Sequence, residues 1–115
     1  MENINIVALS GNVSDFTSTI NGSAKTGSFY IEWPLPISID SGQSSDRVFC
    51  MVRGGAVDVI QNAVDTGRQV LIQGRVRTRL LRYEAKGKKP VHAAYIAVKS
   101  AVCLPDGPLV LPSEV

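Results

Sequence analysis

The chain has 115 residues, 44% hydrophobic and 19% charged, which is the composition of one globular domain and excludes a disordered or multidomain protein. No stretch reaches the ~20 apolar residues of a membrane span, and Glu2 stands where a secretory leader carries basic charge, so a cytoplasmic location is expected. The net charge of +2 hides a polarised chain: from Arg68 to Lys89 eight basic residues meet only Glu84, giving +7, while the remainder sums to −5. A basic segment of this kind suits a polyanionic partner.

Ile4 to Val13 reads as a first strand, with Ile4, Ile6 and Ala8 alternating against Asn5, Val7 and Leu9; Gly11 marks a bulge or barrel corner. Asp15 to Gly27, rich in Ser, Thr, Asn and Gly, reads as a loop that has room for a short strand. Ser28 to Ile39 alternates again, with Phe29, Ile31, Trp33 and Leu35 on one face and Tyr30 and Glu32 on the other; Pro34 and Pro36 put a bulge or an edge there. After a polar loop from Asp40 to Asp46, Arg47 to Arg53 forms a third strand, with Val48, Cys50 and Val52 opposing Arg47, Phe49, Met51 and Arg53. Gly54 and Gly55 break it.

The period then changes. Ala56, Val59, Ile60, Ala63 and Val64 share a helical face over Ala56 to Thr66, with Asp58 near the start and Gly67 as the stop. Gln69 to Arg79 returns to alternation, Val70, Ile72, Val76 and Thr78 against Leu71, Gln73, Arg75, Arg77 and Arg79, with a kink at Gly74. A basic hairpin loop spans Leu81 to Pro90, Val91 to Leu104 is the last strand, and Pro105 to Val115 is a tail. Three strands, one short helix and two strands is the chain order of an all-β, five-stranded OB barrel with its helix between strands 3 and 4. Residues 1–104 make that domain and 105–115 the tail.

Catalytic constellations are missing from the pattern. His92 is the only histidine and sits in an apolar strand, where a structural role is expected. Gly54-Gly55 is not followed by the GK[ST] of a phosphate loop. Asp58 and Asp65 belong to a solvated helix face, and Cys50 and Cys103 are read as reduced core residues rather than metal ligands or a disulfide. Neither an enzyme nor a metal or other cofactor is expected.

Binding chemistry is present. Sequence-independent capture of a single nucleic-acid strand requires cations along a groove and flat side chains on which bases stack. Arg75, Arg77 and Arg79 project from one strand face at intervals of roughly 6.6 Å, close to the spacing of phosphates on an extended single strand. Arg47, Phe49 and Arg53 share a face of the third strand, and Arg82, Lys86, Lys88 and Lys89 extend the basic character into the hairpin. Among the rings, Trp33, Phe49 and Tyr83 are taken as contacts, although Trp33 and Phe49 fit core positions equally well; Tyr30 and Tyr95 are further candidates. Phe16 and Phe29 are assigned to the core.

These residues carry a resemblance. Asn5-Ile6-Val7-Ala8-Leu9-Ser10-Gly11-Asn12-Val13 resembles the opening strand of bacterial single-stranded DNA-binding proteins. Gly67-Arg68-Gln69-Val70-Leu71-Ile72-Gln73-Gly74-Arg75-Val76-Arg77-Thr78-Arg79 resembles their Gly-x-x-Val-x-Ile-x-Gly-x-Leu-x-Thr-Arg segment. The resemblance covers about Asn5 to Leu104. It implies an OB fold, a role in coating single-stranded DNA during replication, recombination or repair, association with the nucleoid, and a homo-oligomer, tetramer or dimer.

Two departures qualify what carries over. Where the family has a tryptophan before the third strand and an aromatic at its end, this chain has Arg47 and Arg53, and the later aromatic is Leu81 or displaced to Tyr83. A larger electrostatic share and a steeper salt dependence follow. The family's long linker with an acidic, hydrophobic tip is replaced by Pro112-Ser113-Glu114-Val115, so recruitment of replication proteins through such a tip is not expected. The short form also resembles primosomal replication protein N, a dimeric OB adaptor that binds DNA weakly and replication proteins more strongly, and this is the alternative reading. A phage- or plasmid-borne coating protein fits equally. An OB domain for RNA or an oligosaccharide is a third reading, the sugar disfavoured by the basic face.

Overall fold

A computed structural model of the chain describes residues 3–34, 45–82 and 91–105. Alternation of apolar residues makes each strand two-faced, and five such strands close on themselves so that all inward faces share one core. They are β1 (Val7–Asn21), β2 (Ala24–Pro34), β3 (Ser45–Arg53), β4 (Val70–Arg82) and β5 (Val91–Cys103), with α1 (Ala56–Thr66) between β3 and β4. The barrel order is β1-β2-β3-β5-β4. Every neighbouring pair is antiparallel except β3 and β5, joined in parallel through Cys50↔Ile96 and Met51↔Ala97.

The expected loop from Asp15 to Gly27 is instead a hairpin. β1 continues to Asn21, turns through Gly22 and Ser23, and pairs back through Thr17↔Ser28, Thr19↔Thr26 and Asn21↔Ala24. Its polar composition conceals it, yet Thr is a good strand former and these positions need no apolar side. Gly22, with φ of +66°, supplies the left-handed residue that a two-residue turn requires at its first position. A bulge interrupts the ladder between Ser14 and Thr17, so that Asp15 and Phe16 together oppose Phe29.

The first strand begins at Val7 rather than Ile4. Val7, Leu9 and Val13 pack against the core, whereas Ile4 and Ile6 are exposed. Phe29, Ile31, Cys50, Val52, Val70, Ile72 and Ile96 supply the buried centre, as the alternation predicts for β2, β3 and β4. Burial pushes the Cys50 thiol up from 9.0 to about 12, against a smaller lowering by the Ile31 backbone.

The helix occupies its expected span but is rolled. Val57, Ile60 and Ala63 are buried, and Val64, assigned inward from its spacing, is 43% exposed. Two contacts tie its start to β2: the Gly54 N–H donates to the Lys25 carbonyl at 2.9 Å, and Lys25 Nζ pairs with Asp58 at 3.0 Å. The helix ends at Gly67, φ +68°. With 11 residues it is the only described helix, and it is too short to cross a membrane.

Between β4 and β5 the register shifts where Gln73↔Ser100 gives way to Gly74↔Val98, leaving Lys99 as the extra residue. Val98 and Ala101 both pack on the core, so Lys99 and Ser100 both turn outward. Gly74 fits this crossing because a Cβ there would fall on the Ala97 carbonyl.

Candidate nucleic-acid interface

Parity decides what the outside of the barrel carries. Because Phe29, Ile31, Cys50, Val52, Val70 and Ile72 point inward, their strand neighbours point outward. On β3 these are Arg47, Phe49, Met51 and Arg53. On β2 they are Thr26, Ser28, Tyr30 and Glu32, aligned by Thr26↔Arg53, Ser28↔Met51, Tyr30↔Phe49 and Glu32↔Arg47. On β4 they are Arg75, Arg77 and Arg79, opposite Ala97, Tyr95 and Ala93 of β5. The closed order sets these strands side by side as one curved surface.

At its centre, two paired rings are flanked by two guanidinium groups. The Arg47 guanidinium lies 3.8 Å from the centre of the Tyr30 ring, Tyr30 and Phe49 lie 5.2 Å apart at an interplanar angle of 55°, and Arg79 lies 5.0 Å from the Phe49 ring. Each cation–π contact is worth about 0.5–1 kcal/mol at an exposed site. Their larger effect is to hold two rings and two planar cations in one array on the surface. Arg47 Nη1 also meets Asp15 Oδ2 at 3.4 Å. Among the described residues, Arg53, Arg75, Arg77 and Lys99 form no ion pair. Their charge is available to an incoming anion.

Beside this array Asn5 secures the N-terminal segment to β4: its Nδ2 donates to the Val76 carbonyl at 2.8 Å and its Oδ1 accepts the Val76 N–H at 2.9 Å. An open concavity of about 390 Å³ lies there, lined by Asn5, Arg75, Val76, Arg77 and Thr78.

Of the residues singled out from sequence, Arg47, Phe49, Arg53, Arg75, Arg77 and Arg79 therefore share the face. Trp33 does not. It follows the inward parity of Phe29 and Ile31, packs against the core, and donates its indole N–H to the Ser10 carbonyl at 2.6 Å. Gly11 makes room for it, since a Cβ there would stand 3.0 Å from the indole nitrogen. Arg82 ends β4; its side chain and the whole of Tyr83, Lys86, Lys88 and Lys89 lie outside the described residues.

Tyr30, a further candidate from the sequence, joins the array, and the outward Lys99 is an addition to the expected cations. Tyr30 had outward parity in the sequence, but its pairing with Phe49 depends on register. Lys99 is turned out by a bulge that no local pattern announces. Among the described residues no three His, Cys, Asp or Glu side chains gather as metal ligands.

The chain superimposes on the Plasmodium falciparum SSB, solved as a complex with ssDNA, with a TM-score of 0.64 at 21% identity, over 91% of this chain and 98% of that one. The fold is the OB fold. No protein-family model matches the chain, and no curated protein matches it significantly. Within the OB barrel, the array of Arg47, Tyr30, Phe49 and Arg79 lies across strands 2, 3 and 4.

Proposed function

We propose that the protein binds single-stranded DNA on the outer face of β2, β3, β5 and β4, without catalysing a reaction. The observation that carries this reading is the array in which Arg47 and Arg79 flank the paired rings of Tyr30 and Phe49, beside Arg75 and Arg77, which form no ion pair among the described residues. Rings and guanidinium planes stack on bases of any sequence, and cations in register neutralise phosphates. The face of strands 2 and 3 is where OB folds take oligonucleotides, and the similar Plasmodium protein was solved with single-stranded DNA. Coating of exposed strands in replication, recombination or repair, in the cytoplasm, is the role such binding serves.

Self-association belongs to the same reading. Leu71 and Val102 are cross-strand partners, 44% and 56% exposed, on a part of the β4–β5 surface remote along the strands from Arg79. An apolar pair of this kind supports a homo-oligomer, which lengthens the binding track beyond one barrel. The adaptor reading, in the manner of primosomal replication protein N, places a replication protein on that patch instead.

Fluorescence anisotropy of labelled oligo(dT) of increasing length, at two salt concentrations and with duplex competitor, tests the proposal. Salt-sensitive, length-dependent binding that duplex fails to compete is expected. Equal affinity for duplex, or no binding, overturns it.

A further inference from the structure

We infer that Asp15 is a built-in counter-anion that occupies Arg47 in the free protein and must be displaced by a DNA phosphate, so that it sets the affinity and salt dependence of the face. The inference rests on the single-stranded DNA reading given above.

Four observations carry it. Asp15 Oδ2 meets Arg47 Nη1 at 3.4 Å, while the same guanidinium lies 3.8 Å from the Tyr30 ring centre. Arg47 therefore offers its plane to the ring and its edge to the carboxylate, the edge on which a phosphate oxygen would otherwise sit. Asp15 has φ of +51°, the one non-glycine residue of positive φ among those described, at the bulge where two residues of β1 oppose one of β2. An aspartate tolerates that backbone better than most residues, and the bulge is what brings its carboxylate to the β2–β3 surface. Glu32, Arg47's cross-strand neighbour, accepts a hydrogen bond from Ser45 Oγ at 3.0 Å. Among the described residues, Arg75 and Arg77 form no ion pair. The face is thus neutralised at its Arg47 end and left open along β4.

Asp15→Asn preserves size and the tolerance for positive φ, and removes only the charge. Asp58→Asn raises the net charge equally but frees Lys25 beside the helix, away from this face. Affinity for oligo(dT) is measured by anisotropy across a salt series for wild type, both single variants, Arg47→Ala and Asp15→Asn/Arg47→Ala, with thermal melts to confirm folding. Asp15→Asn is expected to tighten binding by about two- to fivefold at low salt and to steepen the slope of log K against log salt by about 0.7. Asp58→Asn should leave both nearly unchanged, and the gain should vanish when Arg47 is absent.

Weaker binding by folded Asp15→Asn would make Asp15 a positioning residue for Arg47 and overturn the inference. So would a gain no larger than that of Asp58→Asn, or one that persists without Arg47. Absence of binding by the wild type removes the DNA reading itself, and this inference with it.

Discussion

The Arg79 guanidinium stands 5.0 Å from the centre of the Phe49 ring, although β5 lies between their strands. Spanning two inter-strand spacings puts the backbones at least about 10 Å apart. Arg79, opposite Ala93 of β5, covers it with the length of its side chain. The contact joins the aromatic and cationic halves of the face into one surface.

Replacing Phe49 by alanine should weaken binding of oligo(dT) by about 1–3 kcal/mol, the range for one stacked base. Tyr30→Ala should behave alike, and lose part of the Arg47 contact as well. Isothermal titration calorimetry at fixed salt checks both. A loss below twofold in the folded variants would remove the rings from the site.

Charge reversal along β4 tests the cations separately. Arg75→Glu with Arg77→Glu should lower affinity at least about tenfold and flatten the salt dependence, because two phosphate contacts are lost. Both side chains are exposed and make no ion pair among the described residues, so the circular dichroism spectrum and melting temperature should change little.

Trp33 is the only tryptophan, which makes it a reporter. Packed inward and bonded to the Ser10 carbonyl, its fluorescence should not be quenched when DNA saturates the protein. Trp33→Phe removes that hydrogen bond and should cost about 1 kcal/mol of stability by chemical denaturation, with affinity unchanged. Strong quenching on binding would place the indole on the DNA side.

Alkaline stability should report on Cys50. The unfolded thiol ionises near 9.0, whereas burial keeps the folded one neutral to about 12. In that window the unfolded state holds fewer protons, so stability falls as pH rises, by up to roughly 1.4 kcal/mol per pH unit. Below pH 9.0 the contribution is fully present. Cys50→Ala should flatten the decline between pH 9 and 11 in urea titrations, even though its cavity lowers stability at every pH.

How much of this was readable in the sequence depends on the range of the signal. The helix from Ala56 to Thr66 was legible because the period changes between two flanking glycine positions, and the β3 and β4 faces because alternation is local. The hairpin through Gly22 was not, since its Ser and Thr residues carry no apolar contrast to count. Trp33 shows two local signals in conflict: its parity with Phe29 and Ile31 pointed inward, while the chemistry of base stacking favoured placing a large ring outside. Parity prevailed because the Ser10 carbonyl satisfies the indole in place. The pairing of Tyr30 with Phe49 and the approach of Asp15 to Arg47 depend on register and on a bulge, which a single chain read in order does not display.

The barrel closes through a parallel seam of just two residue pairs, Cys50↔Ile96 and Met51↔Ala97, whereas β4 and β5 share a ladder along nearly their whole length. Such a cylinder has a clasp rather than a uniform wall. Amides beside the clasp should exchange with solvent sooner than those of the β4–β5 ladder. Phe49 and Arg79 stand on opposite sides of it, so a bound strand resting on both would bridge the clasp, and occupancy of the outer face should slow exchange at the seam.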